Sequence, residues 1–114
     1  MNLLLQADAF KSNFVYFSES KPNALFDGTY TKVNYCNDFF TMNGIHISLS
    51  NVRHETIVRI EADILNAYSN YVNKPTIKTT KLADTKYGSE TYLKITGVWE
   101  NTNGEIGLSY KILL

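Results

Sequence analysis

"GVWENTNGEIGLSYK", residues 97–111, alternates apolar and polar side chains on both sides of Asn103-Gly104. Period-two alternation marks a half-buried strand, and Asn-Gly between two such runs signals a hairpin closed by a two-residue type I′ turn. That turn sets a register with Trp99 opposite Leu108, Gly97 opposite Tyr110, Ile95 opposite Ile112 and Leu93 opposite Leu114. Each pair is apolar or places a small residue against a large one, so this face is expected in the core. The reverse face then carries Tyr92, Lys94, Thr96 and Val98 on one strand and Ser109, Lys111 and Leu113 on the other, a mixture of aromatic, basic and hydroxyl groups.

Outward from the hairpin, turn signals at 18–23, Asp27-Gly28, Asn43-Gly44, Lys74-Pro75 and Tyr87-Gly88 divide the chain into short elements. Runs rich in Val, Ile, Thr, Tyr and Phe at 13–18, 29–36, 44–50, 90–99 and 105–113 are expected as strands. On the second run Thr31, Val33 and Tyr35 are placed inward and Tyr30, Lys32 and Asn34 outward, because the opposite phase would bury the Lys32 charge.

Residues 52–72 follow another period. Ile57, Ile60, Ile64, Tyr68 and Tyr71 recur at spacings of three and four, with Arg59, Asp63, Asn66 and Asn70 on the other side. This is an amphipathic helix, started by Asn51 or Ser50 as cap and stopped by Pro75. Three strands, a helix and two strands form an order that resembles the OB-fold, a five-stranded Greek-key barrel. The resemblance covers most of the chain and rests on element order alone. It implies a mainly β (β+α) fold: a small five-stranded antiparallel OB-like barrel, order β-β-β-α-β-β, with one long amphipathic helix.

A length of 114 residues sets one domain, 1–114, with one core. The 44% apolar and 19% charged residues are the composition of a globular chain. The N-terminus lacks the basic and apolar segments of a signal peptide, no stretch is long enough to span a bilayer, and Cys36 is the single cysteine. An intracellular protein without membrane association is therefore expected. Twelve Asn and nine Lys against two Arg and two Pro match an AT-rich genome, as in many phages and viruses.

Chemistry-bearing motifs are sparse. The chain has no phosphate loop, dinucleotide fingerprint or nucleophile elbow, and its two histidines, His46 and His54, have no clustered carboxylate. No enzymatic activity, cofactor or metal is expected.

Aromatic content stands out at 13%, and several rings have a lysine beside them: Tyr30 with Lys32, Lys86 with Tyr87, Tyr92 with Lys94, Tyr110 with Lys111. Single-stranded nucleic-acid binders need both, since bases stack on rings while cations meet phosphates. The opposing reading is that rings fill a small core and lysines guard strand edges. The segment 73–90 holds Lys74, Lys78, Lys81 and Lys86, against Asp84 alone as far as Lys86, although the formal net charge of the chain is zero. Two readings of this segment remain open, a flexible loop that clamps a phosphate backbone and an ordinary solvated loop; part of it, 76–82, is a candidate extra strand.

The expected function is non-catalytic binding of single-stranded DNA in a phage or virus. Its site would be Tyr30, Lys32, Tyr92, Lys94 and Lys111 on the sheet, with Lys74, Lys78, Lys81, Lys86 and Tyr87 from the loop. The rival expectation is a structural or protein-interaction subunit, a homo-oligomer in which residues 3–5 and 113–114 dock a second copy.

Overall fold

A computed structural model describes residues 4–23 and 27–114 of the chain. Its strands are β1 (Leu5–Gln6), β2 (Val15–Pro22), β3 (Gly28–Cys36), β4 (Thr41–Asn43), β5 (Ile45–Ser48), β6 (Ile77–Lys78), β7 (Tyr92–Asn101) and β8 (Glu105–Leu113). Among the described residues a single long helix, α1 (His54–Val72), follows β5.

The fold is mainly β, as expected, but it is not a five-stranded antiparallel barrel. Among the described residues one curled sheet holds eight strands, and it is mixed: β1 runs parallel to β5, and β6 parallel to β8. The order of elements along a chain does not specify which strands become neighbours, and here short extra strands extend the sheet at both margins. Residues 77–79 supply one of them: Ile77 N–H donates to Gly104 O at 2.9 Å and Thr79 N–H to Ile106 O at 2.8 Å.

Strand β7 forms the spine. One edge pairs along its length with β8; the other pairs with β5 over its first half and with β3 over its second. Beyond the Lys32–Gly97 pair, β3 and β7 part. The chain enters the gap along β3 as β4, turns at Gly44 with φ +81°, and leaves along β7 as β5. The sheet is therefore forked.

The hairpin register differs from the expected one. Trp99 pairs with Gly107, Val98 with Leu108 and Glu100 with Ile106, one residue away from the two-residue turn. The Asn101 carboxamide is the cause. Its Oδ1 accepts the N–H groups of Asn103 and Glu105, both at 3.0 Å, while Gly104 N–H donates to Asn101 O at 3.2 Å. With Gly104 at φ +83°, this is a turn closed by a left-handed glycine, which lengthens the loop by one residue. Thr96 then bulges from β7, so pairing resumes as Ile95 with Tyr110 and Leu93 with Ile112. Such shifts exchange faces. Leu93, Ile95, Val98 and Glu100 face the helix, whereas Gly97 and Trp99, expected in the core, lie on the opposite side.

Helix α1 covers the inner face with Ile57, Ile60, Ile64, Leu65 and Tyr68, each no more than 1% exposed. Leu65 belongs to the buried stripe and Tyr71, 53% exposed, does not, although its ring remains 5.2 Å from that of Phe17. The start is also different: Arg53 occupies the cap position in extended backbone with no side-chain cap, and neither Ser50 nor Asn51 takes that role. At the other end Asn73 adopts φ 54° and donates its N–H to Ser69 O at 2.9 Å. Thr31, Val33 and Tyr35 point inward as expected, and Tyr35 sits among the rings of Phe10, Phe14 and Phe40.

Two acids are buried with defined partners. Glu100 accepts the Tyr68 O–H at 2.8 Å and pairs with Lys74 Nζ at 2.6 Å. Glu61, 1% exposed on α1, accepts Lys81 N–H at 2.9 Å and Leu82 N–H at 3.1 Å. Burial pushes the Tyr68 phenol above its ordinary value of 10.0, and the adjoining Glu100 carboxylate raises it further; burial also raises Tyr87. The unfolded chain then loses its tyrosine protons at lower pH than the folded one, so stability falls as pH rises above about 10. Tyr68→Phe should flatten that decline, as measured by urea midpoints between pH about 9 and 11, and an unchanged slope would count against the Tyr68 assignment.

Candidate nucleic-acid interface on the outer face of the sheet

The face of the sheet turned away from α1 can be read as rows of cross-strand neighbours, since directly paired residues share a face. Nearest the β7–β8 turn, Lys21, Tyr30, Trp99 and Gly107 lie in line across β2, β3, β7 and β8. The next row is Lys32, Gly97 and Ser109. Past the fork, one arm carries Tyr16, Asn34 and Asn43. The other arm carries His46, Lys94 and Lys111, then Gln6, Ser48, Tyr92 and Leu113.

The two central rings lie down on the sheet. A Cβ at Gly107 would stand 2.4 Å from Trp99 Cζ2, and one at Gly97 would stand 2.7 Å from Tyr30 Cζ. Each indole or phenol therefore covers the backbone of a glycine on the neighbouring strand or row, and both residues remain partly exposed. Rings seated in this way offer a flat π surface.

Charge on this face has one predominant sign. Lys21, Lys32, Lys94 and Lys111 share it, and Lys94 lies directly opposite Lys111. Among the described residues Glu105 is the acid in phase with it; it sits at the hairpin end, where its Oε1 accepts Asn101 Nδ2–H at 3.1 Å. Like charges paired across two strands are destabilising, so the Lys94–Lys111 pair has a reason to recruit an anion.

Of the ten residues expected in the site, Tyr30, Lys32, Tyr92, Lys94 and Lys111 do share this face. The loop group is elsewhere. Lys74 is held by Glu100, Lys78 lies in edge strand β6, and Lys81 gives its N–H to Glu61. Leu82 is fully buried, and Thr85 Oγ1 lies 2.8 Å from the hydroxyl of Tyr110, a residue packed against the core. Tyr87 stacks on His54, whose Nε2 donates to Ala83 O at 2.8 Å. In this conformation the segment packs on the helix side of β8, away from the outer face; Lys86 is exposed within it.

Three residues of the face, Trp99, Tyr16 and Lys21, were not expected in the site. Gly97 and Gly107 were the available signal for Trp99 and Tyr30, because a glycine inside a strand marks close approach of another group.

Among the described residues no cluster of three or more His, Cys, Asp or Glu is placed to hold a metal ion, and no helix is long and apolar enough to cross a membrane. Cys36 Sγ lies 3.1 Å from Thr41 Oγ1. Comparison of the chain with protein-family models, curated proteins and solved structures gives no match.

Proposed function

We propose that the protein binds single-stranded DNA, without catalysis, along the outer face of the sheet. The observation that carries this reading is the pair of rings laid flat over Gly97 and Gly107 within a face that bears Lys21, Lys32, Lys94 and Lys111. Flat rings accept any base, and the lysines meet the phosphates between them. An AT-rich composition supports a phage or viral source.

Trp99, the single tryptophan, reports on its own face. Titration with oligothymidine should quench its fluorescence at low salt, and added salt should reverse the quenching. With a labelled oligonucleotide, Trp99→Ala or Tyr30→Ala should weaken binding by about 1–3 kcal/mol without changing the salt slope. Lys94→Ala or Lys111→Ala should lower the slope of log K against log salt by roughly 0.7 for each phosphate that the lysine neutralises. The lysine variants should also be at least as stable as the parent, because each removes half of a like-charge pair. Absence of quenching at low salt would sink the proposal.

Self-association is the second reading, favoured by Leu4 and Leu114, 39% and 96% exposed. Leu3 lies outside the described residues, and Leu5 is buried in the core rather than available for docking. If this reading holds instead, Leu114→Ser should shift sedimentation toward monomer while oligothymidine leaves Trp99 fluorescence unchanged.

A further inference from the structure

The fork between β3 and β7 opens a cleft of ≈ 640 Å³ on the same outer face. Its size lies within the range of small-ligand pockets, about 300–1,000 Å³. Its walls share Tyr16, Tyr30 and Lys32 with the rest of the face and add the carboxamides of Asn34 and Asn43 and the Ser18 hydroxyl. Rings and lysines recognise any base and any phosphate; the carboxamides are what the cleft has besides. Asn34 and Asn43 are direct cross-strand partners, so both side chains stand on the outer face, next to Tyr16 on the following strand. Asn34, 8% exposed, is fixed by a hydrogen bond from its Nδ2 to Ser18 Oγ at 2.5 Å. Lys32 lines the same cleft, which has no acidic residue among its lining groups.

We infer that this cleft is a base-selecting subsite: one nucleotide of the bound strand enters the fork, its base edge against Asn34 and Asn43 and its phosphate near Lys32. The inference rests on the proposed single-strand binding and adds discrimination to it. A carboxamide presents a donor and an acceptor side by side and can pair with two points on a base edge, as Asn and Gln do with adenine. The hydrogen bond to Ser18 holds Asn34 in place before the base arrives, which lowers the ordering cost of that contact. A ligand without hydrogen-bonding edges would gain nothing from these groups. A lone anion would leave the carboxamides unused.

The test is fluorescence anisotropy with labelled homopolymers of thymidine, cytidine and adenosine of equal length, read for the parent, Asn34→Ala and Asn43→Ala. The parent should prefer one base over the others by roughly tenfold. Both variants should bring the three affinities together while keeping the salt slope, since no cation is removed. Asn43 is exposed, so its variant should stay folded even if loss of the Asn34–Ser18 bond destabilises the other. Equal affinities for all three homopolymers in the parent, or a preference that survives Asn43→Ala and Asn34→Ala, would overturn the subsite. If Trp99→Ala and Lys94→Ala still weaken binding in that case, the general reading stands without it. If the parent binds no homopolymer at low salt, both fall.

Discussion

Ile64→Asp is expected to leave the domain unfolded at 25 °C. Ile64 is fully buried on α1 beneath the sheet, and the new carboxylate would enter the apolar core cluster. Burying an unpaired charge costs several kcal/mol or forces its protonation, and loss of the isoleucine packing adds about 2–5 kcal/mol, the range of a truncation to alanine. Domains of this size hold only about 5–15 kcal/mol in total. Tyr71→Asp should behave differently, although both residues fall on the same stripe by spacing. Half of Tyr71 is in water, so its variant should lose on the order of 1 kcal/mol, from the ring packing with Phe17. Circular dichroism melts of the two decide the phase of the helix. Equal melting temperatures would mean that the buried stripe is misplaced.

Glu61→Ala should cost about 3–5 kcal/mol, the largest effect among the polar side chains. Each Glu61 oxygen accepts a backbone N–H from the segment after β6, and a hydrogen bond to a charged group is worth about 1.5–3 kcal/mol. Removal of the carboxylate leaves the Lys81 and Leu82 amides without an acceptor in a site that excludes water at Leu82. Glu61→Gln should lose roughly 2 kcal/mol, because one carboxamide oxygen can serve one amide while its NH₂ group opposes the other. Hydrogen exchange adds a local reading: the amides of Lys81 and Leu82 should exchange much faster in both variants. Unchanged protection there, with a normal melting temperature, would show that the segment is held by Leu82 alone.

Glu61 also illustrates what a linear reading misses. It adjoins Ile60, next to the apolar stripe, and its partner Lys81 is 20 residues away; nothing local distinguishes it from a solvated glutamate. The same limit applies to Lys74, whose charge looks available in the sequence and is spent on Glu100. Lys32, by contrast, was legible, since its own charge cost forbids the alternative strand phase.

Local chemistry alone determined the helix with Ile57, Ile60, Ile64 and Tyr68 on its buried side, the five main strand runs, the inward set Thr31, Val33 and Tyr35, and the outward position of Lys94 and Lys111. Each follows from a period or from the cost of burying charge, and neither needs a distant partner. Tertiary structure decided the rest. Asn101 captured the amides of Asn103 and Glu105, lengthening the turn and sliding the hairpin by one residue, and because strand side chains alternate with a period of two, that slip moved Trp99 from the core to the outer face. The mixed sheet, the fork that forms the cleft and the pinned course of 73–90 depend on pairings between strands far apart in the chain, and these are selected by the shared core they enclose, not by the composition of any one segment.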